Sequence, residues 1–149
     1  MRIKIWFPIL LLSLLVGGCA SYIPLQRQQT AQITRGASQA QVDQALGNAT
    51  VLLSHQFSAN GQQYLAKHYD LQTGTRREMI PRCPSRRRGC MPAFIDMPII
   101  DSYVVVFEAN TNQVFAWGMV EELSRSPDDS VSSIMPALKD SYALARSKQ

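Results

Sequence analysis

Ser38-Gln39-Ala40-Gln41-Val42-Asp43-Gln44-Ala45-Leu46-Gly47 is the stretch from which the fold is read. Ser38 has the chemistry of a helix N-cap, and Gln41 three residues later completes a capping box, in which two otherwise unsatisfied N–H groups are bonded reciprocally. Val42, Ala45 and Leu46 recur at spacings of three and four, so the helix carries one narrow apolar stripe. Gly47 stands where a left-handed residue stops a helix at little steric cost. Cap, period and stop agree on a helix from about Gln39 to Leu46.

Downstream the period changes to that of strands. Val51-Leu52-Leu53 and Tyr64 to Leu71 flank Ser58-Ala59-Asn60-Gly61, and Asn-Gly is a strong hairpin signal because both residues accept positive φ. Tyr103 to Phe107 and Gln113 to Val120 form a second pair about Asn110-Thr111-Asn112. Three successive valines, Val104, Val105 and Val106, indicate a central strand covered on both faces. Between the pairs lies Thr73 to Asp101, rich in proline and arginine, which reads as an irregular loop. Ser126-Pro127-Asp128-Asp129 then opens a C-terminal helix, with Ser126 as the cap, Pro127 at the first helical position and acids at the positive end of the dipole. Val131, Ile134, Met135, Leu138 and Tyr142 keep helical spacing, and Pro136 is expected to break or kink that helix at Met135. The expected class is α+β: two short N-terminal helices packed on a small antiparallel sheet of three to four strands, plus a kinked C-terminal helix.

Upstream, Gly36 is placed to end a short first helix in the left-handed conformation. Ala20 to Thr30 is polar and glutamine-rich, and reads as a tether that reaches about 35 to 40 Å at most. Before it, basic Arg2 and Lys4 precede twelve apolar-dominated residues, Ile5 to Val16. That is the length of a signal-peptide core and short of the roughly 20 residues a spanning helix needs. Val16-Gly17-Gly18-Cys19 resembles the lipobox of bacterial lipoprotein signals. The resemblance implies cleavage before Cys19, acylation of that cysteine, and, with Ala20 rather than aspartate next, retention in the outer membrane on its periplasmic face. Two or three acyl chains would give lasting anchorage where one would not. The expected organisation is therefore a signal peptide (1–18), a lipidated cysteine and tether (19–32), an α+β domain (33–125) with a Cys/Arg-rich loop at 73–101, and a C-terminal helical extension (126–149). Removing Arg2 and Lys4 lowers the formal charge from +4 to +2. The mature chain is not globally basic, and nucleic acid is not an expected partner in this compartment.

Ile33-Thr34-Arg35-Gly36-Ala37-Ser38, followed by Gln41-Val42 and Leu46-Gly47, resembles the BamE (SmpA/OmlA) lipoproteins. Tyr64 to Tyr69, and Tyr103 to Asn110 with Phe107-Glu108, can take the places of that family's later strands. The resemblance implies two short helices on one face of a three-stranded antiparallel sheet, and a protein-contacting scaffold in outer-membrane assembly or maintenance. Asn48-Ala49 stands where the family has x-Pro, and the Cys/Arg-rich segment and C-terminal helix lie outside its minimal domain.

Once Cys19 is set aside, Cys83 and Cys90 are an even pair, which in an oxidising compartment is the arithmetic of one disulfide. Arg76, Arg77, Arg82, Arg86, Arg87 and Arg88 place six of the fifteen basic residues within thirteen positions, with Glu78 the one acid among them. Such a loop is either a solvated surface or a site for anionic groups: lipid headgroups, lipopolysaccharide or an acidic protein face. An enzyme is not expected, nor a metal or cofactor. His55 and His68 lie in strand contexts outside any recognised catalytic or ligand spacing. Asp96, Asp101 and Glu108 are scattered, Asp128-Asp129 serves a helix start, and Tyr103, Phe115 and Trp117 read as core. The expected function is that of an envelope protein-binding scaffold. The alternatives are an anionic-ligand binder acting through the arginines, or an inhibitor of an envelope-targeting enzyme.

Overall fold

A computed structural model describes residues 22–83 and 90–148. Cys19, with the rest of the segment before residue 22, and Arg86, Arg87 and Arg88 lie outside the described residues. The chain is α+β. Strands β1 (Leu25–Gln26), β2 (Leu53–Ala59), β3 (Gln62–Arg82), β4 (Met91–Glu108) and β5 (Val114–Met119) form one mixed sheet, in which β3, β4 and β5 are neighbours in that order. The outer edge of β3 is shared. Antiparallel β2 takes it from Gln62 to His68, and parallel β1 takes it at Leu71 and Gln72. Helices α1 (Arg27–Thr30) and α2 (Gln39–Leu46) precede the hairpins, while α3 (Val120–Ser124), α4 (Asp129–Ser132) and α5 (Met135–Arg146) follow them.

Helix α2 forms as its residues dictate. The Ser38 hydroxyl accepts from the Gln41 backbone N–H at 3.3 Å, and the Gln41 side chain accepts from the Ser38 N–H at 2.8 Å. Gly47 adopts φ +57° and donates to the Asp43 carbonyl. Val42 and Leu46 are the residues it buries. Ser38→Ala should lower stability by about 1 kcal/mol, read as a shift in the urea midpoint at constant m-value. Ser38→Asp, which keeps an acceptor at the cap, should retain most of that stability.

Asn60 and Gly61 take φ +50° and +77°, as a tight hairpin between β2 and β3 requires. Val104, Val105 and Val106 are fully buried at the centre of the sheet, alternating between two apolar clusters. On one face Leu25, Ile33, Val42 and Leu46 pack against Tyr69, Leu71, Tyr103, Val105, Phe107 and Val114. On the other, Val131, Ile134, Met135 and Leu138 of the C-terminal segment cover Phe57, Tyr64, Ala66, Val104, Val106 and Ala116. The C-terminal helix is thus an integral layer of the domain, opposite the N-terminal helices. Its break falls at Ser133-Ile134. Pro136 lacks an N–H and would clash with the carbonyl of Ser132 in a continuous helix, so α4 ends and α5 restarts with the Leu138 N–H bonded to the Ile134 carbonyl at 3.0 Å.

Three expectations are corrected. Ala20 to Thr30 is not all tether: Leu25 is 1% exposed in the core and paired with Leu71, and the Gln29 side chain donates to the Leu46 carbonyl at 2.6 Å. One apolar residue finding a free strand edge outweighed a polar surrounding. Gly36 has positive φ but closes a turn rather than a helix, because α1 already ends at Thr30. The largest correction concerns Thr73 to Asp101. Its described residues form the far halves of β3 and β4, paired from Gly74–Ile99 through Arg82–Met91 after a bulge at Thr73. Prolines that read as strand breakers sit on the open edges of a two-stranded ribbon, where a missing N–H is tolerated.

Candidate binding arm and a buried histidine pair

Beyond residue 72 neither β1 nor β2 accompanies β3, and β5 stops pairing with β4 at Tyr103. Nine residue pairs, Gly74–Ile99 to Arg82–Met91, therefore continue as a ribbon about 30 Å long. A disulfide between Cys83 and Cys90 follows the last pair, with Cα atoms 4.1 Å apart. In the chain-entropy description a loop this short contributes roughly 2 to 3 kcal/mol. An isolated two-stranded ribbon is only marginally stable in water, so the bridge bears on whether the arm holds its shape.

The described arginines of the arm, Arg76, Arg77 and Arg82, do not converge on one site. Directly opposed residues share a face and neighbours along a strand do not, so Arg76 and Arg82 lie on one face and Arg77 on the other. Arg76 pairs with Glu78 at 2.7 Å and Arg77 with Asp96 at 3.2 Å, with Glu78 half-buried and the other three side chains exposed. Such pairs contribute little to stability. Sequence reasoning missed the apolar content of the arm. Met79, Met91 and Phe94 are each about two-thirds exposed, and Ile80, Met97, Ile99 and Ile100 are exposed as well. The signal was present in the period-2 run Met91, Ala93, Ile95, Met97, Ile99, which the interleaved prolines and Asp96 obscured.

The remaining acids stay apart. Asp101 accepts from the Thr73 hydroxyl at 2.7 Å and Glu108 from the Thr111 hydroxyl at 3.0 Å, while Asp128, rather than the expected Ser126, caps α4 by accepting from the Ser130 N–H, so that Pro127 precedes the helix. An open cleft of about 620 Å³ at the foot of the arm is lined by Asp101, Glu121, Glu122 and Arg125, among others. Among the described residues, no three His, Cys, Asp or Glu side chains are grouped as a metal site. Tyr103 is core, and Phe115 and Trp117 pack against opposite core clusters.

The histidines are brought together by strand pairing. His55 of β2 and His68 of β3 stack with ring centroids 5.1 Å apart, and Tyr142 of α5 lies 4.4 Å from His68. Ser141 Oγ donates to the Leu138 carbonyl at 2.9 Å, so at 3.0 Å the His55 Nε2 is the donor to Ser141. His68 is 3% exposed, and both its ring nitrogens are buried without a hydrogen-bond partner. Burial, reinforced by the neighbouring His55, pushes the His68 imidazole down to about 4. Burial also lowers His55, against a partly compensating hydrogen bond at Leu138. Both rings are neutral at pH 7, which makes the pair a packed element of the core.

Comparison of the chain with protein-family models, with curated proteins and with solved structures finds no match in any of the three.

Proposed function

We propose that this chain is a lipoprotein held by an acylated Cys19 on the periplasmic face of the outer membrane, and that it serves as a protein-binding scaffold or accessory factor in envelope assembly or maintenance. It is a binding protein, not a catalyst. The observation that carries this reading is the arm: a disulfide-closed ribbon that presents exposed methionine, isoleucine and phenylalanine side chains away from a fully packed domain. Contiguous exposed apolar surface of this kind marks interaction sites. The lipobox-like Val16 to Cys19, and the BamE-like pattern at 33–47, support the membrane address and the scaffold role. The first described residue, Tyr22, follows Cys19 by three positions and donates to Asp70 at 2.7 Å. An anchor at Cys19 would hold the Tyr22 backbone within about 10 Å of the modified residue. The alternative in which the arginines take an anionic lipid or lipopolysaccharide is less well supported, because Arg76 and Arg77 already face Glu78 and Asp96.

The test is a variant in which 75–98 is replaced by Asn-Gly, leaving the packed sheet intact. It should fractionate with membranes like the parent, unfold at a similar temperature, and lose the envelope-protein partner recovered by cross-linking in intact cells. Retention of that partner would overturn the reading. Cys19→Ser should leave the chain as unprocessed precursor or release it from membranes, without unfolding the domain.

A further inference from the structure

The shape and chemistry of the arm narrow what can cover it; this step rests on the scaffold reading above. On β4, Met91, Ala93, Ile95, Met97 and Ile99 line one face, while Phe94 lies on the other with Met79 directly opposite it. Both faces are therefore apolar, and both hold side chains about two-thirds exposed: Met91 on the first, Met79 and Phe94 on the second.

Three kinds of occupant fit poorly. A second copy laid face to face would cover one face of a ribbon roughly 30 Å by 10 Å, on the order of 300 Å² per partner against the roughly 800 Å² of a standard interface. A bilayer surface would likewise take one face, and end-on insertion would put unpaired edge N–H and C=O groups into hydrocarbon. An added strand would meet Pro81 on one edge strand and Pro92 and Pro98 on the other, each lacking a ladder donor.

An occupant that embraces the ribbon meets none of these objections. Enclosing nine residue pairs engages about twenty residues, the count of one side of a standard interface. The ribbon carries Arg76, Arg77 and Arg82 against Glu78 and Asp96, and among the described residues Arg82 makes no ion pair, so the complementary rim is acidic at that end. We infer that the ribbon of residues 74–82 and 91–100 docks inside an apolar, acid-rimmed groove of an envelope protein, which covers both of its faces at once.

The inference is tested by a photo-reactive phenylalanine analogue placed singly at Phe94 and at Met97, on opposite faces, in cells making the full-length chain. Gln56 on β2 is the control position. Both arm positions should cross-link the same polypeptide, identified by mass spectrometry, and Gln56 should not. Arg82→Glu should lower both yields roughly tenfold by setting like charges against the rim. With the identified protein purified, binding to the full-length chain should weaken as salt rises. Adducts from one face only, adducts with the chain itself or with lipid, or no adduct at either position would each overturn the groove. A partner cross-linked through one face leaves the scaffold reading standing; a partner retained by the chain without its arm does not.

Discussion

Removal of residues 126–149 should abolish cooperative folding. Val131, Ile134, Met135 and Leu138 lie in that segment, each at most 6% exposed, and together they cover one face of the packed part of the sheet, below the arm. Burying a side chain of this size contributes about 1.5 to 3 kcal/mol, so four contribute roughly 6 to 12 kcal/mol. The net stability of a domain is about 5 to 15 kcal/mol. Truncation would also expose Phe57, Tyr64, Val104 and Val106 to water. The shortened chain should show no sigmoidal thermal transition, bind a hydrophobic dye and aggregate. A cooperative transition within a few degrees of the full-length protein would refute the assignment of α4 and α5 to the core. Leu138→Ala is the milder version, expected to cost about 2 to 5 kcal/mol by leaving a cavity. A partner lost on truncation therefore reports an unfolded domain and says nothing about where that partner binds.

What could be read from the sequence was what local chemistry decides. The capping box at Ser38 and Gln41, the stop at Gly47, the turn at Asn60-Gly61 and the break before Pro136 each depend on residues within four positions of one another. The packing of Val104 to Val106 was legible because a strand covered on both faces needs no alternation. The misread features depend on distant partners. Leu25 joins the core by pairing with Leu71, forty-six positions away, and nothing in Ala20 to Thr30 announces that edge. The arm was mistaken for a loop because Pro81, Pro92 and Pro98 argue against a central strand, while the open edges on which they sit are a property of the sheet. The histidine stack has the same origin. His55 and His68 lie thirteen positions apart, and they meet because the Asn60-Gly61 turn pairs Leu53 with His68. The Tyr142 ring is added from the far end of the chain.

That stack should make the domain acid-sensitive in a defined window. His68 is neutral when folded, its imidazole held down to about 4 by burial first and by His55 second. In the unfolded chain a histidine titrates near 6.5. Between those values the unfolded state binds a proton that the folded state refuses, so folding stability falls as pH drops through about 6.5 and levels off for this group below about 4. The difference amounts to about 3 kcal/mol. The groups packed around the ring are His55, Tyr142 and Leu138, with Glu121 and Lys139 on the same cleft wall, and no carboxylate hydrogen-bonds either His68 nitrogen to hold a proton there. Urea unfolding at pH 7.5 and at pH 4.5 should give a loss of roughly 2 to 3 kcal/mol for the parent. His68→Leu removes the titration while keeping an apolar side chain of similar size, so it should show a markedly smaller loss, the remainder coming from His55 and Asp128. Equal losses in the two proteins would mean that His68 is solvated or protonated in the folded state. Hydrogen exchange offers an independent reading, since a charge forming beneath Tyr142 should loosen α5 before α2, whose side of the sheet holds neither histidine.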